Sequence, residues 1–72
     1  MNIGEIMKGK DKIIITAKEF KGKQYIDIRT YFENDSGEWI PTKKGISLTP
    51  DNLDEMIAFL QKAKKQTTDN SQ

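Results

Sequence analysis

Two segments rich in β-branched and aromatic residues, 12–20 and 23–32, are separated by only Lys21 and Gly22, and this spacing constrains the fold more than any other feature. Glycine readily takes the positive φ of a two-residue hairpin turn, and Ile, Thr, Tyr and Phe suit a pleated surface. The pattern predicts an antiparallel hairpin. With Lys21-Gly22 as the turn, Phe20 faces Lys23, followed by Lys18 opposite Tyr25, Thr16 opposite Asp27, Ile14 opposite Arg29 and Lys12 opposite Tyr31.

That register divides the hairpin into two faces. Ile13, Ile15, Ala17, Ile26, Ile28 and Thr30 form one, an apolar face expected to pack against a helix. The other carries Lys12, Ile14, Thr16, Lys18, Phe20, Lys23, Tyr25, Asp27, Arg29 and Tyr31, with four bases, three aromatic rings and one acid. Cross-strand aromatics pack well in any sheet, and lysines on strands are commonly just solvated. The combination of rings and cations on one face points instead to nucleic acid, because cations meet phosphates and rings stack on unpaired bases. Asp27 has no second carboxylate beside it for acid–base chemistry and is expected to orient a neighbouring cation.

Further along, Asn34-Asp35-Ser36-Gly37 is a turn signal, and Glu38–Thr42 a short strand whose Pro41 marks an edge or a bend. Lys43-Lys44-Gly45 reads as another turn before a brief strand over Ile46–Leu48, completing a four-stranded antiparallel meander. Thr49-Pro50-Asp51 then begins a helix: Thr caps, Pro is tolerated at the first position and Asp complements the dipole. The helix is expected over about Pro50 to Lys65, its last turn holding Lys62, Lys64 and Lys65. The fold class is α+β, a curved ββββα unit over residues 12–65, with 66–72 a disordered tail and 1–11 given no assigned structure. The helix's apolar arc, centred on Leu53, Ile57 and Leu60 and widened by Met56, Phe59 and Ala63, exceeds what one small sheet needs. Met56, Ile57, Phe59 and Leu60 are therefore expected to form the interface of a two-fold homodimer.

Composition narrows the chemistry. The 72 residues include no Cys and no His, so the usual nucleophiles, general bases and zinc ligands are missing, and neither an enzyme, a metal site nor a cofactor is expected. The longest apolar run is Ile13-Ile14-Ile15, far short of the roughly 18–20 residues that span a bilayer, and no signal-peptide pattern opens the chain. A cytoplasmic protein without membrane contact is expected, nucleoid-associated in a bacterium. The net charge is +1, but residues 1–49 hold nine bases against seven acids, so the placement of charge matters more than its sum.

Phe20-Lys21-Gly22-Lys23, Ile26-Asp27-Ile28-Arg29 with Tyr31-Phe32, and Lys44-Gly45-Ile46-Ser47-Leu48 with Pro50 together resemble the single-stranded-DNA-binding domain of the positive cofactor four family of transcriptional coactivators. The resemblance covers about residues 12–60. It implies a homodimer of curved sheets whose grooves take unpaired DNA, and a role in transcription or in protecting exposed single strands; RNA and the transcription machinery are further expected partners. Family contacts fall on Lys18, Phe20, Lys21, Lys23 and Arg29, with Lys43 and Lys44 matching a basic pair before the glycine. Tyr25 and Tyr31 join them from the register. The family's stacking tryptophan corresponds to Phe32, which keeps a π-face with less area and no indole donor; a family lysine is replaced by Ile40. Strict alternation puts Phe32 on the apolar face, so its assignment requires a bulge or strong twist after Arg29. The resemblance further implies a compact bacterial or viral member. The alternative function is a protein-interaction module that touches nucleic acid incidentally.

Overall fold

The computed structural model describes residues 1–70 as four strands, β1 (Asn2–Lys8), β2 (Asp11–Phe20), β3 (Lys23–Glu33) and β4 (Trp39–Leu48), followed by one helix, α1 (Pro50–Asn70). Neighbouring strands pair antiparallel in chain order, giving an open, curved meander with β1 and β4 at its edges. The expected class is therefore present, but two strands are drawn differently.

The central hairpin has the predicted register, from Lys12 opposite Tyr31 to Phe20 opposite Lys23. Its turn holds Lys21 at φ 54° and Gly22 at φ 78°, both left-handed, as a type I′ turn requires. The first strand of the sheet lies in the segment that had no assigned structure. Ile3 is an extra residue between Asn2, opposite Thr16, and Gly4, opposite Ile15, while the neighbours Ile6 and Met7 fall on opposite faces, so the apolar residues of this strand do not alternate.

Glu38–Thr42 and Ile46–Leu48 were expected as separate strands around a turn. Both parts pair with β3 in the same direction, so together they supply one edge strand, and Lys43-Lys44-Gly45 belongs to a bulge within it. Pro41 sits on that edge, where its missing N–H costs nothing. The preceding turn forms as predicted: the Asn34 side-chain oxygen accepts hydrogen bonds from the backbone N–H groups of Ser36 (3.0 Å) and Glu38 (2.9 Å).

At the start of α1 the Asn52 N–H donates to Thr49 Oγ1 (3.3 Å) and the Leu53 N–H to the Thr49 carbonyl (2.9 Å), so Thr49 caps and Pro50 opens the helix. The helix passes the expected stop at Lys65 because Gln66–Asn70 contains neither Gly nor Pro. Lys62, Lys64 and Lys65 consequently lie within the helix and not in its last turn. Of the tail expected to be disordered, 66–70 is helical and 71–72 lies outside the described residues.

Packing departs most from expectation. The two most buried side chains, Ile14 at 7% and Asp27 at 1% exposure, lie on the basic–aromatic face. Ile14 sits in register between Glu5 and Arg29, and its row is crowded by half-buried Lys12, Tyr25, Tyr31 and Trp39. The apolar face is half open instead, with Ile3, Ile6 and Ile46 exposed. α1 leaves from the end of an edge strand and meets the sheet near its own start, where Pro50 and Leu53 border Ala17 and Ile26. Met56 is half-buried, whereas Ile57, Phe59 (67%) and Leu60 remain exposed. Within one chain, the helix therefore leaves most of the apolar face uncovered.

Candidate nucleic-acid interface

The β2–β3 turn projects Lys21 and leaves Phe20 62% exposed at the hairpin tip. Lys21 Nζ lies over the Phe20 ring, 5.3 Å from its centroid, the geometry of a weak cation–π contact. Lys18 and Lys23 are exposed on the same face, and Tyr25, opposite Lys18, is half-buried. None of these lysines is paired with a carboxylate among the described residues. The tip thus joins an open ring to three free cations.

Behind it the same face changes character. Arg29 Nε and Nη2 donate to the two carboxylate oxygens of Asp27 at 3.1 and 2.9 Å, and Nη1 donates to the Thr42 carbonyl at 2.8 Å. Ser47 Oγ donates to Asp27 Oδ1 at 3.1 Å. The Arg29 hydrogen bonds outweigh burial and hold the Asp27 carboxyl below the usual carboxylate range; the same bonds raise the basicity of Arg29. Asp27 is the local ion-pair partner expected of it. Arg29, placed among the phosphate contacts by resemblance, has its side chain only 23% exposed and its fork occupied by Asp27 and Thr42.

Arg29 reaches across β4 because its partner there is Gly45. A Cβ at Gly45 would stand 2.8 Å from the Ile28 carbonyl oxygen and 2.9 Å from Arg29 Cβ and Cγ. The glycine serves close approach and not a turn. Between the pairs Arg29–Gly45 and Tyr31–Pro41, the three residues Thr42, Lys43 and Lys44 face Thr30 alone. Thr42 Oγ1 donates to the Thr30 carbonyl at 2.8 Å and accepts from the Lys44 N–H at 3.1 Å. Lys43 and Lys44 are exposed on this bulge.

At the far end of the face, Tyr31 is half-buried opposite Lys12 and Pro41. Lys12 Nζ lies 4.4 Å from the centroid of the Trp39 ring and 2.9 Å from Glu5 Oε1. The Lys12 hydrogen bond, helped by Asn2, holds the exposed Glu5 carboxyl below its ordinary range. Trp39 was absent from the expected site. Its signal was the Asn34–Gly37 turn, which pairs Glu33 with Trp39 and so puts the indole beside Lys12. The register irregularity needed for Phe32 does occur after Arg29, but the extra residues are in β4. Alternation along β3 is unbroken, and Phe32 lies opposite Ile40 on the apolar face, 42% exposed. The structure therefore gathers Lys18, Phe20, Lys21, Lys23 and Tyr25, puts Lys43 and Lys44 on the bulge next to Arg29 with Lys44 bordering Ile13, Ile28 and Ile46, and leaves Phe32 on the face away from the hairpin-tip group.

Residues 7–59 match the family described as Transcriptional Coactivator p15 (PC4). Among curated relatives, the RNA polymerase II transcriptional coactivator KELP of Arabidopsis thaliana is 50% identical over 44 residues, covering 61% of this chain and 26% of its own length. SUB1 of Saccharomyces cerevisiae, also named an RNA polymerase II transcriptional coactivator, is 46% identical over 50 residues, covering 68% of this chain and 17% of its own length. The chain thus spans well under half of either relative. Among solved structures, a PC4 homolog from Burkholderia pseudomallei superposes with a TM-score of 0.83 at 29% identity, over 89% of this chain and 88% of that one. A bacteriophage T5 homolog, described as implicated in recombination-dependent DNA replication, superposes with a TM-score of 0.66 at 27% identity, over 93% of this chain and 81% of that one. With the family match covering most of the chain and the same ββββα fold in these relatives, the chain belongs to the PC4 transcriptional coactivator family.

Proposed function

We propose that the protein is a non-enzymatic, largely sequence-independent binder of single-stranded DNA that works as a homodimer. The observation that carries this reading is the hairpin tip, where Phe20 is exposed among Lys18, Lys21 and Lys23, cations without a carboxylate partner among the described residues. Exposed rings stack on bases of any identity and free lysines meet phosphates, so affinity without sequence preference follows. A strand that follows the exposed cations runs from the tip to Lys43 and Lys44, and crosses the β4 edge to reach Phe32 on the other face. The half-open apolar face and the exposed Ile57, Phe59 and Leu60 support burial against a second copy, with Met56 at the margin of that contact. The names of the relatives support a role beside the transcription machinery or in recombination-dependent DNA replication. RNA offers the same phosphates and unpaired bases and is a second ligand of the same surface.

Fluorescence anisotropy with a labelled oligonucleotide tests the proposal. Four to six phosphate contacts, an estimate from the exposed lysines, predict that log affinity falls with log salt at about −0.7 per contact, and that single strands are preferred to duplex. Salt-independent affinity, or none at low salt, would sink it and leave a surface for protein partners. Sedimentation at micromolar concentration tests assembly: a species of twice the 8.3 kDa chain mass is expected, and a monomer there would contradict the dimer.

A further inference from the structure

We propose that Arg29 is a positioning residue: it holds the Thr42–Lys44 bulge in the shape that presents Lys43 and Lys44 to phosphate, and does not itself bind the ligand. The proposal rests on the nucleic-acid reading above and assigns Arg29 a different part in it. Three of its N–H groups are engaged within the protein, two on Asp27 and one on the Thr42 carbonyl. Thr42 is the first residue of the bulge, and its hydroxyl ties the Thr30 carbonyl to the Lys44 N–H. Gly45, the residue just after the bulge, has no side chain where Arg29 Cβ and Cγ pass. A continuous set of contacts therefore runs from buried Asp27 through Arg29 and Thr42 to the backbone of Lys44. Three residues facing one have no ladder of their own to fix them, so the guanidinium anchors a segment that the sheet leaves free. A lysine cannot replace that fork, because an ammonium is a point donor without the planar bidentate geometry.

The test uses the full chain with Arg29→Lys, which keeps the charge and loses the fork, and Thr42→Val, which loosens the bulge with every charge retained. Circular dichroism establishes that each is folded. If Arg29 acts through the bulge, both variants weaken binding to a labelled oligothymidylate and lower the magnitude of the salt slope by about 1.4, two contacts at about 0.7 each. Neither should add to the loss caused by Lys43→Ala/Lys44→Ala. Amide hydrogen exchange at Lys43 and Lys44 should accelerate in Arg29→Lys without any ligand present. Wild-type affinity in Arg29→Lys, a loss additive with the double alanine variant, or unchanged exchange would overturn the proposal. Should wild-type protein bind no oligonucleotide, the phosphate role of Lys43 and Lys44 falls with the nucleic-acid reading. Exchange then still reports separately whether Arg29 holds the bulge.

Discussion

Replacing Asp27 with Asn should cost this small domain a large share of its stability. Asp27 is 1% exposed, and its carboxylate accepts two hydrogen bonds from Arg29 and one from Ser47. Asparagine keeps the volume but offers one acceptor, and turns an N–H donor toward the guanidinium. Charge-assisted hydrogen bonds contribute about 1.5–3 kcal/mol each, and breaking a fully buried ion pair costs about 3–5 kcal/mol. Arg29 can recover some hydration after the change, so a loss of about 2–3 kcal/mol is expected, the lower part of that range. A chain of 72 residues has about 4–11 kcal/mol in total at the usual 0.05–0.15 per residue. Urea unfolding followed by circular dichroism, at one fixed chain concentration because association adds stability, measures the gap. Its pH dependence has a definite sign. The Arg29 hydrogen bonds depress the Asp27 pKa in the folded state, so the stabilisation is complete above the unfolded value near about 4 and disappears as pH falls through the folded value. The difference between wild type and Asp27→Asn should thus narrow from pH 5 toward pH 2. A gap below about 0.5 kcal/mol at pH 7, or one that stays constant in acid, would refute the reasoning.

Phe20→Ala and Phe32→Ala should each weaken single-strand binding by about 1–3 kcal/mol in anisotropy titrations; no effect from Phe32→Ala would confine the ligand to the basic–aromatic face. Lys21→Asn should separate stability from binding. Asparagine suits the left-handed φ of 54° and should raise the urea midpoint through a gain of about 0.5–1 kcal/mol, while the salt slope drops by about 0.7. An unchanged slope would remove Lys21 from the phosphate contacts. Gly45→Ala should destabilise by about 1–3 kcal/mol in urea, because its Cβ would meet the Ile28 carbonyl oxygen at 2.8 Å; a neutral result would show that β4 shifts freely there.

The hairpin register was legible in the sequence because a two-residue turn leaves only one pairing, from Phe20–Lys23 outward. The start of α1 was legible for an equally local reason, since Thr49 and Pro50 act within one turn of chain. β1 was hidden by its own bulge at Ile3, which breaks the alternation that marks a strand. Lys43-Lys44-Gly45 carries the composition of a turn, yet the glycine answers to Arg29 on the neighbouring strand, a contact that local sequence cannot express. The outer face was drawn with the right residues, but its burial was not foreseen, because ion pairing and curvature close over Asp27 and Ile14 without help from the helix. Trp39 and the occupation of Arg29 by the Thr42 carbonyl depend on the β3–β4 register, one step beyond the hairpin.

The bulge in β4 places three residues against one, an excess of two, and that parity limits how this strand can change length. Side chains alternate between faces with a period of two, so an even insertion leaves both flanks facing as before. Pro41 and Trp39 therefore remain with Ser47 on one side, and Ile40 with Ile46 and Leu48 on the other. Gain or loss of a single residue between Thr42 and Lys44 would carry Trp39 away from Lys12 and turn Ile40 out of the apolar row. The single extra residue at Ile3 is an odd insertion by contrast, lying between Asn2 opposite Thr16 and Gly4 opposite Ile15. Insertions and deletions in this part of β4 should accordingly come in pairs among related chains.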